Sequence, residues 1–113
     1  MEIIKLDKSK INDLDLPDGV SSVYYIKNKL ENIGYGFINY DSPKEIELFI
    51  KEDYRNDDLG KELFKRIYDD FERDLIHIEV ELKNYPMIKI IEEFNGVNVG
   101  TNQGITSYVI KKN

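Results

Sequence analysis

The residues best suited to chemistry lie in one short stretch, Lys51 to Ile67, KEDYRNDDLGKELFKRI. It reads as a strand end, a tight loop and the start of a helix. The first N–H groups of a helix lack intrahelical acceptors, and the helix dipole adds partial positive charge, so such a junction suits a phosphate. Asp57 and Asp58 oppose it. An aspartate near a helix N-terminus caps free amides and favours the dipole by about 0.3–1 kcal/mol. Facing a phosphate about 5 Å away, at an effective dielectric of roughly 20, the same charge would repel by about 3 kcal/mol before salt screening.

Two other groups of residues invite a functional reading. His77, Glu79 and Glu81 in HIEVE resemble a metal-ligand run, but the chain has 1 histidine and no cysteine, so a solvated or packed histidine is the stronger reading. The 8 tyrosines, several between Tyr24 and Tyr40, would suit base stacking. The acidic composition favours sheet packing instead, and the net charge of −6 argues against a nucleic-acid partner, whose phosphates need cations.

The elements that must position these residues follow from composition and period. With 113 residues, 41% hydrophobic and 34% charged, the expectation is a single domain, residues 1–113, with a modest core. No run suggests a membrane span or a signal peptide, and the absence of cysteine makes a cytoplasmic address the default. Met1 to Leu6 reads as a strand. The polar segment after it ends in the turn Pro17-Asp18-Gly19 and has room for one short helical turn. VSSVYYIKN and IGYGFINY read as a hairpin turning around Lys29 to Asn32. EIELFIK follows as a strand, with Ile46, Leu48 and Ile50 on one face and Glu47 and Phe49 on the other.

Leu59, Leu63, Phe64, Ile67, Phe71 and Leu75 then recur at helical spacing, predicting a helix of about four to five turns. LIHIEVEL alternates again, with Ile76, Ile78, Val80 and Leu82 set against His77, Glu79 and Glu81. A second helix is predicted from Asn84, with Pro86 in its first turn, burying Met87, Ile90, Ile91 and Phe94 before Gly96 stops it. Two C-terminal strands complete a mixed α/β sheet with one right-handed strand–helix–strand crossover.

This order resembles the GNAT superfamily of N-acetyltransferases, from about Val20 to the C-terminus. The family signature is Arg or Gln, two residues, Gly, one residue, then Gly or Ala, at the start of the helix after the fourth strand. Arg55-Asn56-Asp57-Asp58-Leu59-Gly60-Lys61 matches it at Arg55, Leu59 and Gly60, with Asp58 at the first signature glycine. Asn84 followed by Met87 resembles the Asn-x-x-Ala opening of the family's last helix. The fold implied is GNAT-like: a mixed, mostly antiparallel sheet with two main helices, lacking most of the usual N-terminal helical region.

The function implied is transfer of an acetyl group from acetyl-CoA to an amine. The amides of Asn56, Asp57, Asp58, Leu59, Gly60 and Lys61 would cradle the pyrophosphate, with Arg55 and Lys61 adding charge. Leu48 and Ile50 would offer backbone groups to the pantetheine arm, and Asn84 would stand near its far end. Glu47 is the carboxylate placed like the family's base, with Glu79 second. The usual tyrosine acid position is Ile91; Tyr85 lies too early on the helix and Tyr108 lies in the closing strand. Asp58 is expected to weaken acetyl-CoA binding. The alternative is an inactive GNAT-like domain that binds a protein or small molecule. The short N-terminal region is expected to leave the acceptor side open, which a second copy in a homodimer would cover.

Overall fold

The computed structural model describes residues 1–55 and 58–112. Strand β1 (Glu2–Lys5) is followed by a short helix α1 (Lys8–Ile11), then by β2 (Val20–Asn28), β3 (Glu31–Asn39) and β4 (Ile46–Ile50). Helix α2 (Leu59–Asp70) leads to β5 (Leu75–Glu81), and α3 (Tyr85–Glu93) leads to β6 (Val97–Asn102) and β7 (Ile105–Lys111). The strands form two antiparallel sheets, ordered β1-β2-β3-β4 and β5-β7-β6. They meet where the Glu45 N–H donates to the His77 carbonyl at 2.9 Å, so the β4–α2–β5 unit lays β5 beside the start of β4. The sequence-predicted mixed sheet and its strand–helix–strand crossover are therefore present.

The core sits between α2 and the sheets. Leu59, Leu63, Phe64 and Ile67 form the buried stripe of α2 and join a cluster with Ile46, Ile50, Ile78 and Val80. Gly36 lets the helix settle closely: a Cβ there would stand 2.7 Å from Ile67 Cδ1 and 2.8 Å from Leu48 Cδ2.

The long helix ends earlier than its apolar spacing predicts. Phe71 is buried but extended (φ −67°, ψ 127°), while Leu75 opens β5 with its side chain 46% exposed. Phe71 reaches the same core after the helix has stopped, its ring 4.9 Å from that of Tyr40. Its carbonyl accepts from Lys112 Nζ at 2.6 Å, a cation placed where a helix C-terminus favours one. Leu82 likewise falls just outside β5 and is exposed.

Helix α3 starts and stops near the predicted residues. Of its predicted buried set, Ile91 is fully buried, and Met87, Ile90 and Phe94 are partly so. The residue that turns the chain at its end is Asn95 (φ 65°), with Gly96 N–H donating to the Ile91 carbonyl at 2.9 Å and Asn95 N–H to Glu92 at 3.0 Å. Gly96 is needed for packing, because a Cβ there would stand 2.3 Å from Ile91 Cγ2.

Candidate functional site

Strands β4 and β5 start together and then part, and hydrogen-bond register decides what faces the gap. The Lys51 N–H donates to Ile33 and the Asn39 N–H to Glu45, both at 2.8 Å. Glu47 and Phe49 therefore exchange their backbone bonds with β3, and Leu48 and Ile50 aim theirs outward. On the other side, Leu82 N–H donates to Gly104 and Lys112 N–H to Asp74. Ile76, Ile78 and Val80 thus serve β7, and Glu79 and Glu81 aim their backbone groups toward β4. Two strand edges face each other across a widening cleft.

The cleft opens into a cavity of about 710 Å³ bounded by the ends of β4 and β5 and the starts of α2 and α3. Of the sequence-predicted cofactor residues, Leu48, Ile50, Arg55, Asp58, Gly60, Lys61 and Asn84 all line it. Asn56 and Asp57 lie outside the described residues. Leu59 turns its side chain into the core, so only its backbone belongs to the helix start.

Among the described lining residues, the cations Arg55, Lys61, Lys83 and Lys89 stand beside the acids Asp58, Glu81 and Glu93. Lys83 and Lys89 are additions that sequence reasoning missed, since isolated lysines beside a helix start read as ordinary solvated charges.

Each predicted polar residue already has a local task. Arg55 Nε donates to the Ile50 carbonyl at 2.9 Å, and its guanidinium lies 5.8 Å from the Phe49 ring centroid. Lys61 Nζ pairs with Glu93 Oε2 at 2.9 Å, and this hydrogen bond raises the lysine's pKa. Asn84 caps α3, its Oδ1 accepting from Met87 N–H at 3.3 Å. Gly60 keeps α2 close to α3, because a Cβ there would approach Ile90 Cδ1 to 3.3 Å.

Asp58 departs from the capping expectation. It sits at the N-cap of α2 in the left-handed region (φ 59°, ψ 11°), and its side chain makes no capping hydrogen bond. Its backbone conformation is one that glycine adopts without cost, which accords with the signature glycine at this position.

The predicted catalytic carboxylates stand elsewhere. By strand alternation Glu47 and Glu79 project from the sheet face opposite α2, and neither lines the large cavity. Glu47 pairs with Lys44 at 3.5 Å. Glu79 lines a second pocket of about 300 Å³ with Glu45 and His77, at the closed end of the cleft. Glu45, missed in the sequence, is 4% exposed. Its Oε1 accepts from His77 N–H at 2.6 Å and lies 3.1 Å from His77 Nδ1, and Arg73 Nη1 approaches Oε2 at 3.4 Å. Strand alternation groups Glu45 with Glu47 as a solvent-facing residue, and nothing local signals a partner 32 residues away. Among the described residues no group of three or more His, Asp or Glu is arranged to hold a metal ion, and no helix is long and apolar enough to cross a membrane.

No family model matches this sequence, and no curated protein matches it. Solved structures do. PH1933 from Pyrococcus horikoshii OT3 superimposes with a TM-score of 0.71 at 20% identity over 85% of this chain, which spans 66% of that protein. The ribosomal-protein-S18-alanine N-acetyltransferase from Escherichia coli gives 0.72 at 12% identity, covering 97% of this chain and 92% of the other. The N-acetyltransferase PseH from Campylobacter jejuni, in complex with acetyl coenzyme A, gives 0.65 at 13% identity, covering 93% of this chain and 74% of the other. The fold is that of the GNAT N-acetyltransferases.

Proposed function

We propose that this chain binds acetyl-CoA in the large cavity and transfers its acetyl group to an amine. One observation carries the reading: two outward-facing strand edges meet a cavity of about 710 Å³, lined by Arg55, Lys61, Lys83 and Lys89, at the start of α2. An extended, amide-bearing pantetheine arm is suited to bonding with Leu48 and Ile50 as an added strand would. The pyrophosphate suits the first amides of α2 at Leu59, Gly60 and Lys61, with Arg55, Lys61, Lys83 and Lys89 supplying positive charge. The Asn84 side-chain amide is the polar donor that remains after its oxygen has capped α3. Acetyl-CoA supplies an activated thioester, and Glu47 and Glu79 face the side from which an amine would approach.

Similarity to N-acetyltransferases, one of them holding acetyl coenzyme A, supports the same reading. Isothermal titration of the full chain with acetyl-CoA tests it. Micromolar to tens-of-micromolar binding, lost when Lys61 and Lys89 are both changed to Glu, is the expected outcome. No binding in low salt would turn the assignment to a GNAT-like interaction domain, in which Asp58 closes the loop to phosphate.

A further inference from the structure

The pocket at the closed end of the cleft contains the chain's 1 histidine. We infer that this pocket receives the acceptor amine and that His77, oriented by Glu45, is the base that takes its proton. The inference rests on the acetyl-transfer reading above and adds to it a subsite and a proton acceptor.

Three observations support it. The first is geometric: Glu45 Oε1 lies 3.1 Å from His77 Nδ1, and the imidazole remains 55% exposed while the carboxylate beside it is 5% exposed. A buried carboxylate holding Nδ1–H leaves Nε2 bare and directed outward, which is the tautomer a base requires. The second is position. A chain running from the α2 loop past Ile50 and Leu48 advances toward Glu45, three residues further back along the strand, or about 10 Å at the rise of a β-strand. The thioester end is thus directed at the dyad, and the amine has to enter from the opposite side, where the 300 Å³ pocket lies.

The third is chemical: an imidazole is a better proton acceptor near neutral pH than a carboxylate, as general base catalysis favours. The charged or titratable groups beside His77 are Glu45 from the start of β4, Arg73 through Glu45, and Glu79 on its own strand; on β7 its cross-strand partner is Val109, and Tyr108 pairs with Ile78 on the buried face. The sequence of β6, VNVGTN, adds none. Glu79 is placed to draw in an ammonium ion.

The step balances. Neutral His77 Nε2 accepts one proton from the ammonium and becomes imidazolium. The resulting amine attacks the thioester carbonyl, the C–N bond forms and the C–S bond breaks. The thiolate takes up the second proton from the amide nitrogen, and His77 returns its proton to water. Glu45 also ties β4 to β5, so a purely structural role has to be distinguished.

Three measurements on the full chain do so. Long-range ¹H–¹⁵N spectra show one imidazole, and the neutral Nδ1–H tautomer is expected. A predominant Nε2–H tautomer overturns the inference whatever the activity. In calorimetry, His77→Gln should bind acetyl-CoA within about twofold of the unmodified chain. With acetyl-CoA and alaninamide, lysinamide or spermidine as acceptor, the same change should lower kcat/KM at least 100-fold, within the usual range for a lost general base, and abolish the acid limb of the pH profile. Glu45→Gln, which keeps the backbone hydrogen bond but not the charge, should lower kcat/KM by a smaller factor than His77→Gln and leave acetyl-CoA affinity within about twofold. An unchanged rate in His77→Gln overturns the inference. Failure of the unmodified chain to bind acetyl-CoA instead removes the acetyl-transfer reading on which the inference stands.

Discussion

Helices α2 and α3 both begin at the large cavity, and each has a residue at its N-cap that ordinarily caps helices. They use those residues differently. Asn84 bonds the Met87 N–H, and Pro86 occupies the first turn, where its missing N–H costs nothing. Asp58 takes a left-handed backbone, and its own side chain caps no α2 amide. The α3 start is thus capped by its N-cap side chain, whereas the N-cap side chain of α2 makes no such bond.

The contrast depends on how firmly α2 is seated, and removing that seat should have the largest effect. Leu63 is fully buried among Ile67, Phe64 and the sheet residues. Leu63→Ala should cost about 2–5 kcal/mol in urea denaturation, through lost transfer energy and the cavity left behind. A loss below about 1 kcal/mol would show that α2 is not anchored on the sheet and that its N-terminus has no fixed place.

A smaller effect should separate the two caps directly. Asn84→Ala should destabilise the chain by about 1 kcal/mol, the usual cost of losing a side-chain cap. Asp58→Asn removes no capping bond and loses only the charge beside the helix dipole, about 0.3–1 kcal/mol, a loss that should fade in 1 M salt. An Asn84→Ala loss that faded with salt as the Asp58→Asn loss does would remove the distinction.

The same two helices show what the sequence made legible. Apolar period identified the α2 stripe and the alternating faces of β4 and β5, because burial on one face imposes a repeat on residue type. The same signal overran the end of α2: Phe71 falls in phase with the stripe yet is buried by a separate contact with Tyr40. Signature spacing located the cavity residues Arg55, Asp58, Gly60 and Lys61, because the strand–loop–helix junction is local in sequence. The Asp58 backbone was not legible, since aspartate is common both at caps and in the left-handed region. Glu45 was not legible either, because its partner His77 arrives only when the crossover brings β5 beside β4.

The smallest expected effect tests whether Asp58 stands in the signature glycine's place. A glycine inside a helix costs up to about 1 kcal/mol, which from the sequence alone would predict that Asp58→Gly destabilises the chain. Asp58 lies before the first helical residue with φ 59°, a conformation that costs glycine nothing. The lost dipole interaction, about 0.3–1 kcal/mol, is therefore offset by relief of the backbone, and thermal stability should hold within about 0.5 kcal/mol. Acetyl-CoA affinity should rise, because both the side chain and its charge leave the cavity lining. Asp58 is exposed, so solvent screening should reduce the electrostatic part to about 1 kcal/mol, or about fivefold in affinity. Asp58→Asn should recover only that part, and its advantage should fade between 0.1 M and 1 M salt as the Debye length falls from about 10 Å to about 3 Å. Asp58→Gly should keep whatever gain comes from closer approach of the backbone to phosphate at either salt concentration. A glycine variant that loses about 1 kcal/mol of stability and gains no affinity would place Asp58 in the helix as a dipole-favouring residue, and α2 would then begin as α3 does.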